Sequence, residues 1–282
     1  MLTNKRPVQK SLREYGQGII GGLLFSFPVL FTMEVWWTGF SATPLQLLLL
    51  MLATYLLLLG YNRFAGMRAG TTWRSIFIDS VEEMGIGIIL SFLVMLVLNR
   101  VRLDGMTLDE IMGKTIIEAM AVSIGVSVGT AQLGVANGED ESRELDEQGS
   151  WWSMRISLLV LGLCGAIIVG GNVAPTEEVV VLAIESAPFH ILLMALLSLI
   201  ISLIAVYYSA LNGPDKGNSR QRNFNVAFDT CLSYLVALAA SAMCLWFFGR
   251  FQNVSFFVAF SQVIVLGVIS TLGASAGRML IR

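Results

Sequence analysis

Residues 170–188 read Gly-Gly-Asn-Val-Ala-Pro-Thr-Glu-Glu-Val-Val-Val-Leu-Ala-Ile-Glu-Ser-Ala-Pro. A hydrophobic run is broken here by Gly170, Gly171, Asn172 and Pro175, and Glu177 and Glu178 follow at once. Glycine and proline weaken or open a helix and free carbonyls that would otherwise be paired. Within hydrocarbon such a break survives only where it is buried in protein or lines a cavity. Carboxylates beside it need a partner or a ligand. The stretch is therefore read as a broken membrane helix carrying the candidate ion site.

The surrounding chain fits that reading. Of 282 residues, 55% are hydrophobic and 13% charged, with a mean hydropathy of +0.73. Soluble domains carry about 25% charged residues, so the expected class is an all-α polytopic membrane protein. A helical span takes about 20 apolar residues. Eight stretches qualify: 15–38, 44–62, 76–99, 108–133, 153–183, 188–211, 224–248 and 254–277. The first is too long for a signal-peptide core and has no clean cleavage site, so it is read as a span.

Basic residues set the orientation. With the N-terminus inside, 14 of the 18 Lys and Arg fall on that side, and the other side holds only Arg100, Arg102, Lys114 and Arg250. The positive-inside rule then places both termini in the cytoplasm. Residues 136–152 hold Glu139, Asp140, Glu141, Glu144, Asp146 and Glu147, and read as an acidic cytoplasmic linker without calcium-loop spacing.

The chain repeats itself. Gly21, Glu34 and Pro44 recur 144 positions later as Gly165, Glu178 and Pro188, and Asp79 and Arg100 recur 150 later as Asp229 and Arg250. Gly125 and Gly129 recur 148 later as Gly273 and Gly277. The expected organisation is a first four-span repeat over 1–135 and a second over 153–282. Four is even, so the repeats are parallel, and a ligand path between such halves is the common arrangement.

The repeat pairs Glu34 with Glu178, each following a proline in its own half. Hard cations take oxygen ligands, and carboxylates with freed carbonyls supply them. Glu34, Glu178, Glu177 and Asn172 are thus the expected ion-selecting set, toward the outer face. The competing reading is a pair of interfacial glutamates, with Trp36 and Trp37 as belt anchors. Asp79, Glu82 and Glu83, at i, i+3 and i+4, open the third span and with Asp229 form an expected inner mouth. Carboxylates in a first helical turn are also what the helix dipole favours. Thr107 and Glu110 match a capping box that starts the fourth span. Deeper in that span, Lys114 and Glu118 are one turn apart and read as a mid-membrane ion pair. His190, the one histidine, is a candidate pH sensor. Gly125/Gly129 and Gly273/Gly277 read as close helix-packing sites.

Cys164, Cys231 and Cys244 all lie in expected spans and suit neither a disulfide framework nor a zinc site. No phosphate loop, dinucleotide fingerprint, haem or metalloprotease motif occurs, so neither an enzyme nor a cofactor is expected. A net charge of −2 gives no electrostatic case for nucleic acid. The expected function is transport of a small cation (Na⁺, K⁺, Ca²⁺ or H⁺) across the bilayer. A channel is slightly preferred over a cation/proton exchanger, and a non-transporting scaffold is the reading from another class. Four helices per half are few to enclose a pore, so a homo-oligomer is the expected assembly.

Phe31-Thr-Met-Glu34-Val-Trp-Trp-Thr-Gly39 and Ala174-Pro-Thr-Glu-Glu178-Val resemble segments of an uncharacterised bacterial integral-membrane family, known as a domain of unknown function. The resemblance extends over nearly the whole chain. It implies an eight-span inner-membrane protein and supplies no activity. Gly171-Asn172 with Pro175, Glu177 and Glu178 also resembles the ion-binding segments of cation/proton exchangers. Those proteins use inverted repeats, so none of their residue roles is carried over.

Overall fold

Runs of leucine, isoleucine and alanine, punctuated by proline, glycine and threonine, set the helix boundaries in the computed structural model. It describes residues 8–65, 72–135, 151–211 and 219–279, with ten α-helices and no strand among them. The acidic linker lies outside the described residues. Two compact units divide the chain, Met1–Gly149 and Ser150–Arg282.

In unit 1 the helices are α1 (Val8–Leu30), α2 (Met33–Ser41), α3 (Pro44–Phe64), α4 (Trp73–Val97) and α5 (Leu108–Val135). Pro28 removes a backbone donor near the end of α1. The chain turns at Phe31 and Thr32, and α2 leaves at 83° to the preceding segment. Thr43 and Gln46 form a capping box with Pro44 in the first turn, which starts α3 afresh. Thr107 and Glu110 bond each other's backbone N–H and start α5 as the sequence indicates.

Unit 2 follows the same succession: α6 (Trp151–Gly171), α7 (Glu177–Glu185), α8 (Pro188–Leu211), α9 (Ser219–Phe247) and α10 (Phe256–Met279). Like α2, α7 is nine residues long, starts after a threonine and carries glutamate in its first turn. The ends of α4 and α9 also match. Asn99 (φ 55°) and Gly249 (φ 69°) adopt the left-handed conformation. The next amide, of Arg100 or Arg250, then donates to the carbonyl of Met95 or Leu245, both at 2.9 Å. This is the Schellman closure, which satisfies the last carbonyls of a helix.

Each unit is built around its last helix. α5 packs against α1, α2, α3 and α4, and 78% of its membrane-length window is buried. α10 packs against α6, α7, α8 and α9. Small residues bring the backbones together. A side chain on Gly21 would collide with Gly129 and would sit 2.8 Å from the Gly125 carbonyl, so only glycine fits. Gly165 meets Gly273 and Gly277 in the same way in unit 2. The expected packing role of both glycine pairs is what the backbones display.

Among the described residues, six helices are long and apolar enough to cross a membrane: Pro44–Phe64, Trp73–Val97, Leu108–Ala131, Pro188–Tyr207, Val226–Phe247 and Phe256–Gly277. The bent pair Tyr15–Leu30 and Met33–Ser41 makes a seventh if counted as one span. The break that the sequence indicates within 153–183 is present, with Asn172–Thr176 separating α6 from α7.

Candidate functional site

The sequence places its ion site at the two breaks. Several of their carbonyls are already occupied. In unit 2, the Gly170 carbonyl accepts from the amides of Val173 (3.0 Å) and Ala174 (2.8 Å). The Val173 carbonyl accepts from the amide (3.0 Å) and hydroxyl (2.9 Å) of Thr176. Asn172 donates its side-chain amide to the Ile168 carbonyl, and Arg250 donates to that of Pro175. In unit 1, Pro28 accepts from Phe31 (3.3 Å) and the Thr32 hydroxyl (2.6 Å), and Leu30 from the Trp36 indole (3.2 Å). Of the carbonyls that the sequence suggests as cation ligands, those of Gly170, Val173 and Pro175 in one break and Pro28, Val29 and Leu30 in the other already have donors. Glu34 is half-buried, Glu177 and Glu178 are exposed, and Asn172 serves the turn.

Both breaks are braced by the arginine behind a Schellman cap. The Arg100 guanidinium lies 4.1 Å from the Trp36 ring, and Arg250 holds the Pro175 carbonyl. Trp36 is thus part of this brace, while Trp37 stays exposed.

The inner-mouth set separates. α4 starts at Trp73 and carries no acidic residue in its first turn, so Asp79, Glu82 and Glu83 lie further along it. The helix dipole acts only within the first turn and does not account for them. Glu82 accepts a bond from the Tyr15 hydroxyl. Glu83 accepts from the Asn62 side-chain amide at 2.7 Å. Asn62 also donates to Ser80 (3.0 Å) and accepts from Ser127 (3.2 Å). The result is a buried polar cluster joining α3, α4 and α5. Asp229 instead forms an ion pair with Arg155, whose side chain is 11% exposed and lies over the Phe228 ring at 4.8 Å. It is a neutralised structural pair.

The expected Lys114–Glu118 pair does not form. The Lys114 ammonium donates to the Arg100 carbonyl at 3.1 Å and lies 4.1 Å from the Phe40 ring. Those contacts draw it toward the α4–α5 loop, away from the turn below. Glu118 is 0% exposed, and neither carboxylate oxygen has a hydrogen-bond partner among the described residues. Such a group is expensive in a membrane span. Glu118 shares a helical face with Val122, Gly125 and Gly129, the face that packs on α1. α1 and α5 run in opposite directions, with Gly18 against Val126 and Thr130 and Gly22 against Val122 and Val126. That register brings the end of α1, at Leu30, to the depth of Glu118.

Across the full span of 14–281, the sequence matches the integral membrane protein family DUF2391. The chain belongs to this family. No curated protein and no solved structure matches it. DUF2391 membership agrees with the apolar helices and places the protein in the lipid bilayer as an integral membrane protein with several spans.

Sequence reasoning missed Asn62, Ser127, Tyr15 and Arg155. Asn62 left a signal, an amide beside Arg63 in the last turn of a largely apolar helix. The remaining expected residue, His190, is exposed in the first turn of α8, edge-on to Phe189 at 6.0 Å.

Proposed function

We propose that the protein moves a small cation across a bacterial inner membrane, with unit 1 holding the ion at Glu118. The observation that carries this reading is the fully buried, unpartnered Glu118 carboxylate inside a membrane-length helix, level with the broken end of α1. An intramembrane carboxylate with no protein partner is paired by the ion it handles. Its enclosure favours exchange through an occluded site over an open channel, since an open pore would wet it. Below it, the Asn62–Glu83–Ser127 cluster and the Glu82–Tyr15 pair extend polar groups toward the α3–α4 end. We take that end as cytoplasmic, because Arg63 and Arg74 lie there. Glu34 and Glu178, in the first turns of α2 and α7, stand toward the opposite face, where they attract cations.

The same reading counts eight crossings in two parallel four-span repeats. The matched succession of helices, the paired short helices and the paired Schellman caps support it. The test is flux of Na⁺, K⁺, Ca²⁺ and H⁺ into liposomes containing the purified protein, beside Glu118→Gln. Flux of at least one cation that the variant loses is the expected result. No flux of any cation above empty liposomes overturns the proposal.

A further inference from the structure

We infer that the ion held in unit 1 is a proton, passed between Glu118 and Glu83 along a column of buried hydroxyls on α4 and α5. This inference rests on the transport reading above and names its ion.

The register of the two helices builds the column. Ser127 of α5 bonds Asn62, which bonds Glu83 of α4, and Gly87 of α4 lies against Ser123 of α5. The helices therefore run in opposite directions, and one turn further Ser91 falls level with Ala119, at the depth of Glu118, whose carboxylate lies about 100° round α5 from Ala119, toward α1. Ser91 and Ser123 are fully buried, and their hydroxyls have no partner among the described residues. The Thr115 hydroxyl, also buried, is likewise unpartnered. Orphan hydroxyls in an apolar bundle are costly unless something bonds them.

A hydroxyl both donates and accepts. It forms an O–H bond with an incoming proton as its own O–H breaks toward the next acceptor. It ends unchanged, and one positive charge has moved. Successive rungs on α5, Ser123 and Ser127, are four residues apart, a rise of about 6 Å. That gap is the width of one bridging water bonded on both sides.

The ligand set favours a proton over a metal cation. Sodium- or calcium-like ions need several converging oxygens. Among the described residues no group of three His, Cys, Asp or Glu is placed to hold a metal ion. A proton needs a single oxygen, and Glu118 offers two. Of the helices packed on α5, α1 has no titratable side chain between Gly16 and Leu30. α2 has Glu34, α3 has Tyr55, Tyr61 and Arg63, and α4 has Arg74, Asp79, Glu82 and Glu83. On α5 itself, Lys114 is turned to the Arg100 carbonyl.

Unit 2 marks the contrast. It keeps hydroxyls at matching positions, Ser241, Thr271 and Ser275, but has Leu266 where unit 1 has Glu118 and Ser233 where it has Glu83. The column there lacks both carboxylates, so proton movement is assigned to unit 1 alone.

The experiment uses the full chain in sealed liposomes with an internal pH-sensitive dye and an imposed potassium diffusion potential. Wild type should acidify the lumen faster than empty liposomes. Glu118→Gln and Glu83→Gln should fall to the empty-liposome rate with melting curves intact, and Ser241→Ala should match wild type. Independently of flux, infrared spectra of wild type should show the carbonyl stretch of a protonated, unbonded carboxyl that Glu118→Gln lacks. Absence of that band, or proton flux surviving in Glu118→Gln, overturns the inference. If Na⁺ or K⁺ moves and protons do not, the inference fails and the transport reading stands. If no cation moves, both fail.

Discussion

Glu118→Leu should stabilise the protein while abolishing transport. Leu266 occupies the matching position of α10 and is 1% exposed, so a leucine fits this kind of site. Both Glu118 oxygens are buried without partners, and each unsatisfied buried polar group costs about 1–3 kcal/mol. The apolar term contributes little, because lipid is as apolar as the bundle interior. Replacing the carboxyl by leucine should therefore raise stability by about 1–3 kcal/mol. For a chain of this size that is a rise in Tm of roughly 2–5 °C. The assay is thermal unfolding in detergent, followed by circular dichroism, of wild type and variant at the same pH. A fall in Tm would refute the reasoning, because it would mean that Glu118 has stabilising partners in the folded protein.

Three further outcomes follow from the packing. Gly21→Leu should cost about 3 kcal/mol or prevent folding, since its side chain meets the backbone of Gly125 and Gly129. The control Gly16→Ala, with nothing within 4 Å, should be neutral or stabilise by up to about 1 kcal/mol in the same melts. Asp229→Ala leaves the Arg155 charge largely buried and should cost about 3 kcal/mol. A double-mutant cycle with Arg155→Ala should recover part of that loss, and strictly additive effects would contradict the ion pair. Arg250→Ala removes a charged donor from the Pro175 carbonyl and should cost about 2 kcal/mol, with faster hydrogen exchange in Asn172–Thr176.

Much of the fold was legible because it depends on periodic apolar runs and breakers. Pro44 and Pro188 mark boundaries where the backbone has them, and Gly125/Gly129 and Gly273/Gly277 mark close approaches. The break within 153–183 was legible from Gly170, Gly171, Asn172 and Pro175, whereas the 83° turn within 15–38 was not, because hydropathy does not register a turn set in an apolar run. Site residues were less legible. Spacing puts Lys114 one turn from Glu118, but the ammonium satisfies the Arg100 carbonyl, which is distant in sequence. The breaks looked like open ligand sites because a sequence does not show which donors meet each carbonyl. Trp36, Thr176 and Arg250 supply those donors. Asn62 acquires its role through partners 18, 21 and 65 residues away. Such contacts are set by tertiary packing and leave no local pattern.

The most direct test of the account is potential-driven cation uptake into liposomes at matched protein density, comparing wild type with Glu118→Leu. The account predicts uptake above empty liposomes for wild type and the empty-liposome rate for the variant, which remains folded. Equal uptake by the two proteins, or none by wild type, would contradict it.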